Sequence, residues 1–381
     1  MRRINDDCKK VTLGDYDNAL MSYIEKIKNN PSVLGVYQIG KVHAPGISDI
    51  DLVIVVEEGA FNDNISALSW ENLTREQKYF FIHDPLIVTE NIMKHLYEVI
   101  PVYSCKALFE RVSLNMKRKQ KRSKREILLN LLEIIVLYYP RNMVSLSLKK
   151  ERNAREALCL LYLLGYNLAV SEKIVGVRKK EYDFFIEKIS SLRKNWFILG
   201  KERFQLLDEA IDLGYKRSHD LVEDILKYIR EKKIITLEKR KGEMCNTLCY
   251  FSKNISLIFK YNWDKEDALV EVYKIHKKTG IFSSVLPMEF YYIIFFLKRE
   301  IKNEKEINSL CPVFLSSQLE SEFSKKIKLL KEQFALYRKY APLGYALNIT
   351  LFSSFYESDG LSIIKKRVKQ VIYFLFEKGF I

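Results

Sequence analysis

Residues 36–56 read VYQIGKVHAPGISDIDLVIVV, an apolar run that carries two aspartates, Asp49 and Asp51, one residue apart. The β-branched tail that follows them predicts a strand. Side chains alternate along a strand, so Asp49 and Asp51 share one face while Ile50 and Leu52 point into the core. Burying an unpaired carboxylate is costly, so a fold that accepts this pair must offer it compensation. Two strand residues at about 3.3 Å each set the two Cβ atoms about 7 Å apart, near enough to converge on one divalent ion or a close pair of ions. Hard carboxylate oxygens suit Mg²⁺ or Mn²⁺, and a metal would be the compensation.

The flanking sequence alternates helix and strand signals. In DYDNALMSYIEKIKNN, Leu20, Ile24 and Ile27 recur at helical spacing, and Asn29, Asn30 and Pro31 form a stop. SVLGVYQI predicts a strand closed by Gly40, KVHAPGIS a loop, and DIDLVIVV a second strand. Thr74 with Gln77 three positions on has the pattern of a capping box, which predicts a short helix. YFFIHDPLIV then predicts a third strand with Asp84 late in it, beside His83 and ahead of Pro85.

This block resembles the nucleotidyltransferase superfamily typified by DNA polymerase β. Ile39 and Gly40 match the opening of its signature, Ser48 precedes the acids, and DIDLVIVV matches the Asp-x-Asp with hydrophobic residues between and after. The similarity covers roughly residues 15 to 105. It departs at Lys41, which stands where the signature has Gly or Ser, and in the short loop of seven residues between Lys41 and Asp49. The resemblance implies two Mg²⁺ or Mn²⁺ ions on Asp49 and Asp51, with Asp84 as a further ligand, and an NTP substrate, ATP by default. It also implies a third carboxylate that helps deprotonate the acceptor hydroxyl, for which Asp84 is the candidate. A turn aspartate ahead of Pro85 is the competing reading of Asp84. His83 reads either as a secondary ligand or proton carrier or as a structural histidine. Gly40, Lys41 and Ser48 would contact or shape the phosphate site. Lys41 reads either as a point charge on a terminal phosphate or as an exposed surface lysine.

Charge divides the chain. Residues 1–110 hold 11 Lys/Arg against 16 Asp/Glu, whereas the remainder holds 52 against 32. A basic region facing a polyanion and a Lys-rich usage set by an A/T-rich genome both account for this. In KRKQKRSKRE, seven basic residues (Lys117, Arg118, Lys119, Lys121, Arg122, Lys124 and Arg125) crowd into nine positions. They read as a polyanion-binding site or as a solvated linker, and with no interleaved aromatic they do not predict base stacking. Beyond residue 110 the signals are helical. Ser123 and Glu126 have the capping-box pattern, Pro140 ends the apolar ILLNLLEIIVLYY, and AREALCLLYLLGYNLAV is the second central helix. ERFQLLDEAIDL, LVEDILKYI and FSKKIKLLKEQFALYRKY are one-sided helical segments, and residues 244–263 carry the character of a hairpin.

Six cysteines without a C-x-x-C pair, and no recognisable leader, lead us to expect a reduced, cytoplasmic chain without a zinc site. ILLNLLEIIVLYY is interrupted by Glu133, and IFSSVLPMEFYYIIFFL by Pro287 and Glu289, so neither predicts a membrane span. The expected architecture is an α/β nucleotidyltransferase domain, a small mixed sheet with flanking helices, over residues 1–110. A basic, mostly α-helical domain over 111–381 follows it. The expected activity is transfer of a nucleoside monophosphate to a hydroxyl of RNA or of a small-molecule alcohol, with release of pyrophosphate. The alternative is a catalytically silent relative that binds RNA or a partner protein.

Overall fold

The structure is a computed structural model. It describes residues 3–58, 68, 72–82, 84–99, 104–114, 123–139, 141–149, 151–237, 247–251, 256–260, 282–286, 290, 313–315 and 328–329. After the short strand β1 (Arg3–Asn5), helix α1 (Leu13–Ile27) is started by Thr12. The Thr12 hydroxyl accepts from Asp15 N at 3.3 Å, and the Asp15 carboxylate accepts from Thr12 N at 2.7 Å. This reciprocal cap begins the helix two residues before Asp15, where the segment read as helical from the sequence starts. Tyr16, Leu20, Tyr23, Ile24 and Ile27 form its buried stripe.

Strands β2 (Val33–Ile39) and β3 (Asp51–Val56) pair antiparallel. The Thr74–Gln77 reciprocal bonds form at 3.1 and 3.2 Å and lead into the short helix α2 (Gln77–Phe80). Strand β4 (Leu86–Thr89) then pairs parallel with β3. Here the sequence expectation needs correcting. Tyr79 and Phe80 belong to α2, and Pro85 has no N–H to give a ladder, so the third strand begins at Leu86 and Asp84 precedes it. Short helices α3 (Glu90–Lys94) and α4 (Leu96–Val99) lead to β5 (Cys105–Glu110), an edge strand antiparallel to β2 that the sequence did not announce. The order β4-β3-β2-β5 makes a small mixed sheet with flanking helices.

Helices follow. α5 (Lys124–Tyr138) is capped by Ser123 and Glu126 and stops ahead of Pro140; α6 is Arg141–Leu148. Strand β6 (Glu151–Asn153) pairs in parallel with β1, so the N-terminus crosses to the helical side. α7 (Ala154–Val175) ends at Gly176, whose φ of 82° is the left-handed region. α8 (Lys180–Asn195) and α9 (Glu202–Glu231) complete the group, α9 joining two of the one-sided segments into a single 30-residue helix. Among the described residues, α7 is long and apolar enough to cross a membrane, and here it lies at the centre, packed by α5, α8 and α9. β7 (Ile235–Leu237) pairs with β11 (Val313–Leu315), and β8 (Thr247–Phe251), β9 (Ser256–Lys260) and β10 (Phe282–Leu286) form an antiparallel sheet in the order β10-β8-β9. The β8–β9 pair lies within residues 244–263.

The sheet buries both faces. Ile50, Leu52, Ile54 and Val56 pack with Val33, Val36, Ile87 and the α1 stripe. Val53 and Val55 join Tyr37, Val88 and the residues of α5 to α9 in one larger core. Successive residues of β3 thus alternate between the two cores.

Candidate functional site

The C-terminal end of β2 and the N-terminal ends of β3 and β4 coincide, because β2 is antiparallel to β3 and β4 is parallel to it. Ile39 stands opposite both Asp51 and Cys105. Gly40 turns the chain away at φ 73°, a left-handed conformation that favours glycine, and its N–H donates to Ser104 O at 3.1 Å. No atom lies within 4 Å of where a Cβ would sit, so the requirement is the backbone turn and not space. Lys41 follows, exposed.

Asp51 is the first residue of β3 and Asp49 lies two positions before it, outside the ladder; both are half-buried. Asp84 is half-buried two residues before Leu86. Carrying the Val53↔Leu86 register back by two places it level with Asp51. The acids touch different surroundings. The charge of Asp49 acts on Tyr16 and Cys159, and that of Asp84 on Tyr23 of α1. Among the described residues, no three His, Cys, Asp or Glu side chains gather as a metal-holding group. His83, Lys117, Arg118, Lys119, Lys121 and Arg122 lie outside the described residues, whereas Lys124 and Arg125 open α5, both exposed.

The loop leading into Asp49 is built around a turn in which Ile47 N and Ser48 N both donate to Ala44 O, at 3.0 and 2.8 Å. Gly46 sits in it at φ 82°, and a Cβ there would lie 2.1 Å from Lys9 O and 2.7 Å from the Phe197 ring. Tyr16 O–H donates to Ser48 O at 2.6 Å, and its oxygen accepts from Gly46 N at 3.0 Å. Tyr79 O–H donates to Gly46 O at 2.6 Å. From α7, Arg155 donates through Nε to Ile47 O (2.9 Å), through one terminal nitrogen to Ser48 O (2.8 Å) and through the other to Tyr79 O (2.6 Å). From α8, Arg193 donates to the Ser48 hydroxyl at 2.9 Å and to Leu158 O at 3.1 Å. Ser48 Oγ also accepts from Ala44 N at 3.1 Å, so the serine is turned into the protein.

Burial dominates the protonation of this neighbourhood. It pushes the Tyr16 and Tyr79 phenols up, against the opposing pull of main-chain hydrogen bonds and of Arg155. Burial likewise raises the Cys159 thiol, raises Cys8 further with help from Asp6 and Asp7, and takes Cys105 to about 11. Burial thus disfavours the thiolate, the nucleophilic form, at all three. Within the loop, the exposed His43 ring lies 6.3 Å from Tyr162, and the Arg193 guanidinium lies 4.2 Å from the centre of the same tyrosine ring.

Sequence reasoning singled out Gly40, Lys41, Ser48, Asp49, Asp51 and Asp84 and passed over Tyr16, Gly46, Tyr79, Arg155 and Arg193. One signal was available: Arg155 is the only charged residue besides Glu156 in the otherwise oily AREALCLLYLLGYNLAV, and a charge inside a core helix needs partners. No protein-family model matches the chain, and no curated protein matches it significantly.

Proposed function

We propose that the chain is a nucleotidyltransferase of two domains, moving a nucleoside monophosphate from an NTP to an acceptor hydroxyl of RNA or of a small-molecule alcohol and releasing pyrophosphate. The observation that carries this reading is the meeting of three segments at one end of a mixed sheet. These are the left-handed turn at Gly40, the Asp49-x-Asp51 approach to β3 and the Asp84 approach to β4. The donor set fits Mg²⁺ or Mn²⁺, since such ions are held by one or two carboxylates together with substrate phosphates and waters, not by an all-protein cage. Asp49 and Asp51 would hold the ions, which when bound screen the phosphate charges and favour loss of the hydroxyl proton. Asp84, level with Asp51, would accept that proton, a contribution of about 10² to 10⁴ in rate. Lys41, exposed beside the turn, would place its ammonium near the terminal phosphates. The Gly40 N–H is spent on Ser104, and the buried Ser48 oxygen accepts from Arg193 and from Ala44 N, so these two would shape the site and not grip the substrate. ATP stays the default because, among the described residues, no side chain is identified that reads a base.

The test is incubation of the chain with each radiolabelled NTP, Mg²⁺ or Mn²⁺, and either total RNA or a small-molecule extract. The expected result is a labelled acceptor, absent with the Asp49→Asn, Asp51→Asn double variant. Nucleotide binding without transfer to any acceptor would turn the reading to a silent relative that binds RNA or a partner. Failure to bind any NTP in the presence of metal would sink the nucleotidyltransferase reading.

A further inference from the structure

The ladder does not fix Asp49. Pairing of β3 with β2 begins at Ile39↔Asp51, and the main chain from Gly40 to Ile50 is held by other means. One is the Ala44 turn and another is the bond from Ile50 N to Phe80 O at 2.8 Å. The rest come from side chains, and the two carbonyls just ahead of Asp49 each receive two donors. Ile47 O accepts from Arg155 and from the Cys159 thiol at 3.4 Å; Ser48 O accepts from Arg155 and Tyr16. Arg155 and Arg193 are each 6% exposed, and each guanidinium is stacked 4.2 Å from a tyrosine ring, Tyr79 and Tyr162 respectively. Arg155 uses all three of its nitrogens on main-chain carbonyls. A lysine, a point donor on a flexible stem, could not reproduce that fork. Burying a guanidinium is costly, and these bonds are what offset the cost.

We propose that Arg155 and Arg193 are positioning residues, a paired clamp through which helices α7 and α8 set the place of Asp49, while Asp51 is set by the sheet. This deepens the nucleotidyltransferase reading and rests on it for the role of Asp49. The two acids of one Asp-x-Asp would then answer to different parts of the chain. The clamp would make metal and nucleotide binding depend on α7 and α8 although neither arginine touches a ligand. Arg155 and Asp49 both act electrostatically on Tyr16 and on Cys159, which puts the clamp's charge and the carboxylate in the same neighbourhood. Positive charge that favours the ionised form of the half-buried Asp49 is thus present here before any ion binds.

The test uses the full chain and two readouts. In the first, without ligand, hydrogen exchange is compared between parent and Arg193→Gln. Exchange at residues 47–50 is expected to accelerate at least tenfold, with the β3 ladder at 53–56 unchanged. Uniform acceleration, or none, would overturn the clamp. In the second, Mn²⁺ with a nonhydrolysable ATP analogue is titrated and the spin-resonance spectrum of the bound Mn²⁺ recorded. Ser48→Ala, a milder change that removes the Arg193 acceptor, and Arg193→Gln should each weaken binding by about 10- to 100-fold, the range for residues that hold ligands in place. Each should give an Mn²⁺ spectrum like that of Asp49→Asn, and the double variant should be no weaker than the worse single, because both break one bond. Arg155→Lys should not restore parent affinity. Leu161→Ala, a core change on α7, should lower the melting temperature and leave affinity within about twofold. Affinity that instead falls in step with melting temperature, Leu161→Ala included, would reduce the arginines to packing. If the parent binds neither Mn²⁺ nor the analogue, the nucleotidyltransferase reading fails and the positioning role with it, while the exchange readout still decides whether the arginines hold the loop.

Discussion

The two faces of the sheet are covered in different ways. On one, α1 closes a compact core over β2, β3 and β4 with Tyr16, Leu20, Tyr23, Ile24 and Ile27, from residues near in sequence. On the other, Tyr37, Val53, Val55 and Val88 merge into a core supplied by α5 to α9. The first face could be assembled by the N-terminal hundred residues. The second cannot be completed without segments more than a hundred residues away, and the loop leading into Asp49 is held from both sides, by Tyr16 of α1 and by Arg155 and Arg193 of α7 and α8. A site placed at such a boundary is legible locally in its acids but depends on distant chain for its geometry.

The largest expected effect breaks the boundary itself. Gly46→Ala would force a Cβ to 2.1 Å from Lys9 O in a left-handed conformation. The combined overpacking and backbone strain should cost about 3 to 5 kcal/mol in denaturant unfolding. A loss below about 1 kcal/mol would mean that the strap at Lys9 and the Asp49 loop can part without consequence. The next compares the faces. Ile54→Ala in the α1 core and Ile135→Ala in the helical core each empty a fully buried site and should cost about 2 to 5 kcal/mol. Because β3 belongs to both cores, both variants should lower one shared unfolding transition followed by near- and far-ultraviolet circular dichroism. Separate transitions would show the faces to be independent.

A third prediction concerns the helical side alone. Burial holds the His219 imidazole of α9 down at about 4, with the Tyr215 ring 4.9 Å away. Since the unfolded chain binds that proton more readily, the contribution of neutral His219 is full above pH 6.5 and is lost as pH falls towards 4, by up to about 3 kcal/mol. His219→Gln should flatten stability against pH in that window; an unchanged slope would exclude His219 as its source. The smallest effects are the two capping boxes, one for each side. Thr12→Ala on α1 and Ser123→Ala on α5 should each cost about 1 kcal/mol. A much smaller loss at Ser123 would mean that packing, not the cap, fixes where α5 starts.

How far the sequence could be read varied with the range of the interaction. Thr12 with Asp15 and Ser123 with Glu126 fix helix starts through partners three residues apart, and the second of these is visible in the sequence as written. Thr74 and Gln77 also bond reciprocally, but α2 starts only at Gln77, behind Glu76 and without a side-chain cap. Pro140 stops α5 for reasons internal to proline. Pro85 was the misread signal. It lies inside an apolar stretch that looks like strand throughout, yet only the part after it can pair, which moves Asp84 from the strand to its approach. Strand β5 was missed because CKALFE is half-exposed and polar at two positions, as an edge strand can be.

The sequence by itself determined β3 and its alternation, the left-handed turn that Gly40 permits, the helix caps, and the presence of two acids at the head of a buried strand. Each follows from dihedral preference and spacing among near neighbours. Only the tertiary structure decided what surrounds the approach to those acids. Arg155 meets Ile47 across 108 positions and Arg193 meets Ser48 across 145. No local preference encodes such a meeting, because it exists only once α7 and α8 have packed onto the second face of the sheet and the cost of their buried charges is offset by the carbonyls ahead of Asp49.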